Sequence, residues 1–402
     1  MTARRGPLSG FKVIELAHIM AGPTCGLMLA DMGADVIKVE KVPGGDDSRR
    51  FLPPDIEGES AAFMMMNRNK RGIAVDLKKE AGREVVRRLL VSADALIENY
   101  RTGTMERLGL GYETLRQGNP GLIYCEISGF GRTGPYAGRG GFDLIAQGMS
   151  GLMSITGEGA GRPPVKVGAP VTDITAGILG AMGILAAAFE RQKTGKGQRV
   201  DTSLFEAGIV HTYWQSAIAL ATGTPPGPMG SAHPLNAPYQ AFQTTDGWIT
   251  VGAANQVNWL RLLEVLEAPH LAEDSRFAEN ADRMGHLEEL AAALGEVIRK
   301  RTSAYWLERL EAAGVPAGPV LDVAQMHADP QTLARDMVVT LEHARAGAVK
   351  ALGLPVKFSE SPGEVAHAAP LYGADTRAIL AEHGYGEDEI ATLISEGAVV
   401  AA

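Results

Sequence analysis

Short apolar segments alternate with longer helical patterns in the first third of the chain. The sequence predicts strands at 11–16, 34–40, 72–77, 93–99 and 122–128. It predicts helices between them at 23–32, 80–92 and 102–117. Strands that alternate with helices are typical of a parallel sheet covered on both faces. We therefore expect an α/β fold with a Rossmann-like sheet.

The turn after the first predicted strand does not have the sequence of a dinucleotide site. It reads Ala17-His-Ile-Met-Ala-Gly-Pro23 where such a fold would have a G-x-G-x-x-G phosphate loop. The predicted sheet is therefore expected to lack a nicotinamide or flavin site.

The pattern changes after about residue 128. A Gly-rich passage at 128–141 precedes predicted helices at 142–155 and 174–192, and the second of these is rich in Gly and Ala, which allow close packing. A Gly- and Pro-rich linker begins at 223, and the alternation at 239–252 around Asp246-Gly247 predicts a hairpin. Amphipathic helices continue to about 313, so this part is a candidate smaller α+β domain.

Composition and charge narrow the class of protein. The chain has 402 residues, 45% of them apolar and 21% charged, which fits a folded protein of more than one domain. A net charge of -9 argues against nucleic acid as a partner. Residues 67–107 nevertheless contain 10 Lys/Arg against 6 Asp/Glu, which would suit a phosphorylated ligand or a solvated helix face.

Cys25 and Cys125 are the only cysteines, so neither a disulfide framework nor a zinc cluster is available. A reducing, cytoplasmic compartment is expected. The charge-free segment 174–189 has 16 residues, fewer than the roughly 20 that span a bilayer, and predicts a buried helix. We expect no membrane partner.

Asp173 precedes the long apolar helix, where it would meet unpaired N–H groups and the positive end of the helix dipole. A carboxylate there is expected to stay ionised and could attack a carbonyl carbon, although a helix cap is the more common role. His18 follows the first strand, where ligands of open α/β sheets bind, and Asp143 has the same cap ambiguity. Motifs for metal, serine or nucleotide chemistry are missing, and no metal site is expected.

Several specific segments extend from Leu8 towards the C-terminus. They include Ala-Asp-Met-Gly-Ala-Asp-Val-Ile-Lys-Val-Glu from Ala30, Asn-Arg-Asn-Lys-Arg from Asn67, Gly-Phe-Gly-Arg-Thr-Gly-Pro-Tyr from Gly129 and Gly-Phe-Asp-Leu-Ile-Ala-Gln from Gly141. Through them the chain resembles the family III CoA-transferases, the group of formyl-CoA and carnitinyl-CoA transferases. The resemblance implies that the enzyme moves CoA between carboxylic acids.

The resemblance also assigns site residues. Asp173 matches the nucleophile of the family, and acyl-CoA is the substrate, with no permanently bound cofactor. The positions that match CoA contacts are His18, Met20, Ala21, Lys41, Val75, Lys78, Asn99, Tyr100, Arg101 and Arg107, with Arg139, Gly140, Gly141, Phe142 and Asp143 near the thioester.

Family members form interlocked homodimers, so we expect one here. The large CoA-binding domain would combine residues 1–222 and 318–402, and the small domain would be an insertion at 223–317. Our substrate hypothesis is succinyl-CoA or a similar donor, with a small carboxylic acid as acceptor.

Two alternatives remain. An α-methylacyl-CoA racemase resembles this family, but racemases have Gly-His-Asp where this chain has Gly141-Phe142-Asp143, and phenylalanine cannot accept a proton. A non-catalytic acyl-CoA-binding protein is disfavoured because the nucleophile's segment is intact.

Overall fold

The structure is a computed structural model that describes residues 5–402. Its strands are β1 (Lys12–Leu16), β2 (Asp35–Lys41), β3 (Asp55–Ile56), β4 (Glu59–Ser60), β5 (Arg71–Val75), β6 (Ala95–Glu98), β7 (Ile123–Ser128), β8 (Arg199–Ser203), β9 (Tyr239–Gln243), β10 (Trp248–Gly252), β11 (Ala317–Pro319), β12 (Val338–His343), β13 (Gly347–Leu352) and β14 (Val399–Val400).

The helices alternate with the strands in the first part of the chain and cluster in the second. They are α1 (Ala21–Asp31), α2 (Ala61–Asn67), α3 (Glu80–Val91), α4 (Thr104–Arg107), α5 (Tyr112–Gly118), α6 (Asp143–Met149), α7 (Val171–Thr194), α8 (Leu204–Val210), α9 (Tyr213–Thr222), α10 (Gln256–Val265), α11 (His270–Glu273), α12 (Asn280–Gly285), α13 (Leu287–Ile298), α14 (Ser303–Ala312), α15 (Val323–Ala328), α16 (Pro330–Ala334), α17 (Thr376–Glu382) and α18 (Glu387–Ser395).

A seven-stranded sheet organises the large part of the molecule, in the order β14-β5-β2-β1-β6-β7-β8. Its neighbours from β5 to β8 pair in parallel, and β14 pairs antiparallel with β5. The order of the parallel strands is that of a doubly wound Rossmann sheet, which confirms the predicted fold class. The chain order reverses between β1 and β6, and a crevice at the carboxyl ends of these strands is the expected ligand site of such a sheet.

Both faces of this sheet are covered, as the sequence predicts. One face packs against α3, α17 and α18 through side chains such as Leu89, Ile379 and Ile390. The other face packs against α1 and α7 through Cys25, Ala176 and Ile184. Each face therefore has its own apolar core.

Helix α7 is long and apolar enough to cross a membrane by length and composition alone. Core helices of soluble proteins have the same properties, and the glycines of α7 pack closely in this fold. A Cβ built on Gly177 would lie 2.5 Å from the Cβ of Thr24 in α1, and one on Gly180 would lie 2.8 Å from Cδ1 of Ile127 in β7. The predicted close packing of this helix is confirmed.

Three predicted helices have different bounds in the structure. The stretch 102–117 forms α4 and α5, because Gly109 at a φ of 68° turns the chain between them. The helix predicted at 142–155 ends at Met149, shortly before Gly151 at a φ of 85°. Helix α7 begins three residues earlier than predicted, so Asp173 lies within its first turn.

The chain divides into a large unit, which contains residues up to 151, 167–211 and 330–402, and a small unit of 152–166 and 212–329. The small unit has the predicted hairpin β9–β10 and a helical core around Trp259. It extends beyond the predicted bounds 223–317. One reason is that β11, which includes residues on both sides of the predicted boundary after 317, pairs with β10 of the small unit.

Candidate active site

The predicted ligand residues of the large unit collect at one edge of the sheet. Strand β1 leads to His18, β2 ends at Lys41, β6 leads to Asn99, and β7 leads to the loop that ends at Gly141. Carboxyl ends of parallel strands share an edge, so these segments are neighbours there. The sequence analysis placed His18 at the end of a strand, as observed, and the contact of all these residues with CoA stays a prediction.

Two of these segments are joined at the point where the strand order reverses. The backbone N–H of His18 donates to Oδ1 of Asn99 at 3.0 Å, and Nδ2 of Asn99 donates to the His18 carbonyl at 2.9 Å. The carboxamide of Asn99, predicted to contact the ligand, thus positions the turn after β1. The His18 ring lies 5.6 Å from that of Tyr100, and burial lowers the pKa of His18, which favours a neutral ring at pH 7.

Two cations of the basic segment 67–107 are neutralised by buried carboxylates. Arg68 pairs with Asp31 at 2.6 Å, and Lys70 pairs with Glu15 at 2.8 Å. Both pairs are buried. Exposed cations near the carboxyl edge of the sheet include Lys78, Arg101 and Arg107 from this segment and Arg139 from the loop after β7.

Two other predicted contact residues have specific surroundings. Val75 is fully buried in the core at the end of β5, so its side chain offers no surface to a ligand. Lys41 is exposed, and its Nζ pairs with Asp47 at 2.6 Å. Of these two, only Lys41 presents its side chain to solvent.

The Gly-rich loop after β7 closes on itself. A Cβ built on Gly129 would lie 2.7 Å from Cα of Gly141, so the two backbones touch where only glycine fits. Arg132 fastens this loop to the segment after β6, because it donates to the Tyr100 carbonyl at 3.0 Å and pairs with buried Glu98. Sequence reasoning missed Arg132, although a cation in a Gly-rich loop was a visible signal.

Helix α6 fixes the start of α7. Oδ1 of Asp143 accepts hydrogen bonds from the Thr172 N–H at 3.0 Å and from its hydroxyl at 2.8 Å. Oδ2 accepts from Nε2 of Gln147 at 2.8 Å, and Oε1 of Gln147 accepts from the Val167 N–H at 2.8 Å. Asp143, predicted to lie near the thioester, therefore caps α7. Gln147, which the sequence analysis did not single out, holds the segment before it.

Asp173 is the third residue of α7 and is partly buried. Burial raises the pKa of its carboxyl, and the carboxylate of Asp143 raises it further, to about 7. The sequence-based expectation of a fully ionised group was therefore wrong, because burial and a like charge outweigh the helix dipole. Both protonation states are populated near neutral pH, and the ionised state is the nucleophile.

One residue at this edge, Phe142, offers no proton acceptor. Phe142 stands just before α6 with 71% of its side chain exposed, at the position where a racemase needs a base. A cavity of about 1070 Å³ lies at the opposite, amino edge of the sheet, lined by Asp35, Arg71 and Glu382 among others. Within residues 5–402, no group of three or more His, Cys, Asp or Glu side chains could hold a metal ion.

Known CoA-transferases are similar to this chain over nearly its whole length. The chain is 42% identical over 388 residues to a succinate–glutarate CoA-transferase from Agrobacterium fabrum, and the match covers 95% of this chain and 97% of that protein. It is 36% identical over 394 residues to succinyl-CoA:glutarate CoA-transferase from Homo sapiens, covering 98% and 90% of the two chains.

A crystal structure of a CAIB/BAIF family protein from Brucella suis matches with a TM-score of 0.84 at 42% identity, and the match covers 94% of this chain and 100% of that one. The sequence profile of CoA-transferase family III matches residues 8–376. Because this profile and these relatives match nearly the whole chain, the chain belongs to CoA-transferase family III and is a CoA-transferase.

Proposed function

We propose that the enzyme moves CoA from succinyl-CoA to a second dicarboxylic acid, with glutarate as the leading acceptor. Two relatives that align over nearly the whole chain are named for succinate or succinyl-CoA and for glutarate. The structural observation that supports the transfer is Asp173, a partly buried carboxylate in the first turn of α7.

Asp173 would act as a covalent carrier. Its carboxylate oxygen attacks the thioester carbon of the donor, the C–S bond breaks, and a mixed anhydride and free CoA thiolate result. The thiolate then attacks the Asp173 carbonyl carbon, which releases the donor acid and leaves an aspartyl-CoA thioester. The acceptor carboxylate repeats both steps in reverse and regenerates the Asp173 carboxylate. One thioester is lost and one is formed, so these reaction steps need no ATP and no metal.

The surrounding residues support distinct parts of this reaction. Asp143 and Gln147 hold the segment 167–172 through hydrogen bonds, and so fix where the nucleophile stands. The exposed cations Lys78, Arg101 and Arg107 are suited to the phosphates of CoA, because phosphates bind most strongly to concentrated positive charge. The raised pKa of Asp173 makes its ionised form a stronger base than an ordinary aspartate.

A competition between acids tests the substrate proposal. The full-length enzyme is incubated with succinyl-CoA and an equimolar panel of glutarate, mesaconate, oxalate, acetate and carnitine, and the acyl-CoA products are measured by mass spectrometry. We expect glutaryl-CoA to form fastest, with kcat/KM for glutarate at least about tenfold above that for acetate. A tenfold preference needs only about 1.4 kcal/mol of differential binding.

The same panel with acetyl-CoA as donor is the control. Fast transfer from acetyl-CoA combined with slow transfer from succinyl-CoA would contradict the proposed donor. Exclusive formation of oxalyl-CoA would contradict the proposed acceptor, while leaving the CoA-transferase activity intact.

We also propose that the chain forms the interlocked homodimer that its family resemblance implies. Support comes from apolar side chains that the single chain leaves exposed on α7, where Ile178, Met182 and Phe189 are 47%, 60% and 63% exposed. Such neighbouring exposed apolar side chains commonly mark an interaction surface.

Charge placed on that face tests the dimer. The wild-type protein is expected to sediment as a dimer in analytical ultracentrifugation, and Met182→Glu/Phe189→Glu is expected to weaken dimerisation at least about 100-fold. Val91→Glu, at an exposed valine of α3, is the matched control and should leave the dimer unchanged. A monomeric wild-type protein at micromolar concentration would refute the proposal.

A further inference from the structure

The turn between β1 and α1 contains an unusual backbone conformation. Ile19 has a φ of 69°, in the left-handed region that β-branched residues rarely adopt. The turn carries His18 on one side of Ile19, and Met20 and Ala21 on the other, and all three are predicted to contact CoA. A residue held in a disfavoured conformation beside a ligand site calls for a group that holds it there.

Asp46 is that group. Its carboxylate accepts the Ile19 N–H, with Oδ1 at 3.1 Å and Oδ2 at 3.3 Å. The same carboxylate pairs with Nζ of Lys38 at 2.8 Å. Asp46 is itself fixed, because its N–H donates to Oε2 of Glu40 at 2.9 Å and its Oδ1 accepts from the Ser48 N–H at 2.9 Å.

The rest of the turn is bound by neighbouring buried side chains. Lys38 donates to the Ala17 carbonyl at 2.9 Å, and Lys70 donates to the Pro23 carbonyl at 2.9 Å. Glu15 pairs with both lysines. Lys38 and Glu15 are fully buried and Asp46 is 3% exposed. Side chains from β2 and from the loops after β2 and α2 therefore hold backbone groups of residues 17, 19 and 23.

The charges of this cluster are maintained despite burial. Burial alone would raise the pKa of Asp46, but Lys38 and the Ser48 hydrogen bonds hold it far below its usual range. Burial alone would lower the pKa of Lys38, but Glu15, Asp46 and Glu40 outweigh it and raise that pKa. A hydrogen bond to an ionised acceptor is roughly twice as strong as a neutral one, so Asp46 is a firm anchor for Ile19.

We propose that Asp46, paired with Lys38, is a positioning residue for acyl-CoA: it holds Ile19 in the left-handed conformation and thereby sets His18, Met20 and Ala21 for binding. The inference rests on the predicted contact of this turn with CoA. Without the Asp46 carboxylate, Ile19 would relax towards φ values below zero, which an L-residue prefers by roughly tenfold. The relaxed turn would carry His18 and Met20 out of their binding positions.

A double-mutant cycle on the full-length enzyme tests this role, with CoA binding measured by isothermal titration calorimetry. We expect Asp46→Ala to weaken CoA binding by at least about fivefold. Ile19→Gly should restore most of that loss in the Asp46→Ala background, because glycine adopts a positive φ without a steric cost. Ile19→Gly alone should change the affinity by less than the Asp46 variant does. Rescue by glycine distinguishes a backbone-positioning role from a general loss of stability.

Asp31→Asn is the matched control, because Asp31 is also a buried, ion-paired aspartate but binds Arg68 and Asn69 at the far end of α1. It is expected to lower stability without changing CoA affinity. Where Asp46→Ala does not fold, Asp46→Asn replaces it, with an expected loss of about threefold because the amide group opposes Lys38. CoA affinity within twofold of wild type in a folded Asp46 variant would overturn the proposal, as would a loss that Ile19→Gly does not reduce.

Calorimetry with CoA alone does not depend on the acid substrates. A failed substrate proposal would appear in the acid panel, and a failed role for Asp46 would appear only in the CoA titrations. The two failures are therefore distinguishable.

Discussion

Asp173→Ala is expected to reduce CoA transfer by at least about 10⁴-fold, because the variant has no carboxylate to accept the acyl group. The neighbouring groups that hold the segment before α7, Asp143 and Gln147, remain in place. Substrate should therefore still bind, while the first covalent step cannot occur. The measurement is the initial rate of glutaryl-CoA formation from succinyl-CoA, compared at saturating concentrations of both substrates.

Two further readouts separate the loss of a nucleophile from a loss of structure. CoA affinity should stay within about threefold of wild type, and intact-protein mass spectrometry should detect an acyl or CoA adduct on wild type but none on the variant. The wild-type rate should fall as the pH drops through about 7, since the pKa of Asp173 is raised to that value and only the ionised form attacks. A variant that retains more than a hundredth of the wild-type rate would exclude Asp173 as the carrier.

Gly177→Ala should lower the free energy of unfolding by about 3 kcal/mol, a large effect for the addition of one methyl group. The new Cβ would lie 2.5 Å from Cβ of Thr24 and 2.6 Å from the carbonyl oxygen of Ala21. Rotation of a side chain cannot relieve the second contact, because it is made with the backbone of α1. Urea denaturation followed by circular dichroism measures the change.

Gly118→Ala is the matched control for this prediction. A Cβ at Gly118, at the end of α5, would meet nothing within 4 Å. Its effect should stay within about 1 kcal/mol of zero, and in the stabilising direction if helix propensity decides it. Equal stabilities of the two variants would show that α1 and α7 can separate without cost.

The alternation of strands and helices made the architecture of the large unit predictable. The predicted bounds of two helices, 102–117 and 142–155, were wrong because of local glycines. The sequence did not reveal that Gly109 and Gly151 would adopt positive φ values and interrupt the helices there. Strand β14 escaped prediction because its pairing with β5 joins residues more than 300 positions apart. Such a pairing leaves no periodic pattern in a two-residue strand.

In the candidate site, too, features that depend on local sequence were predictable, and features that depend on contacts between distant residues were not. The position of Asp173 beside an apolar helix was visible in the sequence, but its raised pKa was not, because that shift comes first from burial in the folded chain and then from Asp143, 30 residues earlier. Asn99 was predicted to contact the ligand, and only the fold reveals that its carboxamide is hydrogen-bonded to the backbone N–H and carbonyl of His18. Likewise, the excess of Lys and Arg over Asp and Glu in 67–107 overstated the positive charge that phosphates could reach, because Lys70 is buried in an ion pair with Glu15.

The backbone contact between Gly129 and Gly141 brings together the two ends of the loop after β7, directly before α6. The chain enters and leaves the intervening eleven residues at one place, so a change in their number need not move the start of α6. Closing a slightly longer loop costs little free energy, since the cost grows only with the logarithm of its length. A change in the length of this loop would therefore leave the start of α6 in place, and with it the hydrogen bonds from Thr172 to Asp143.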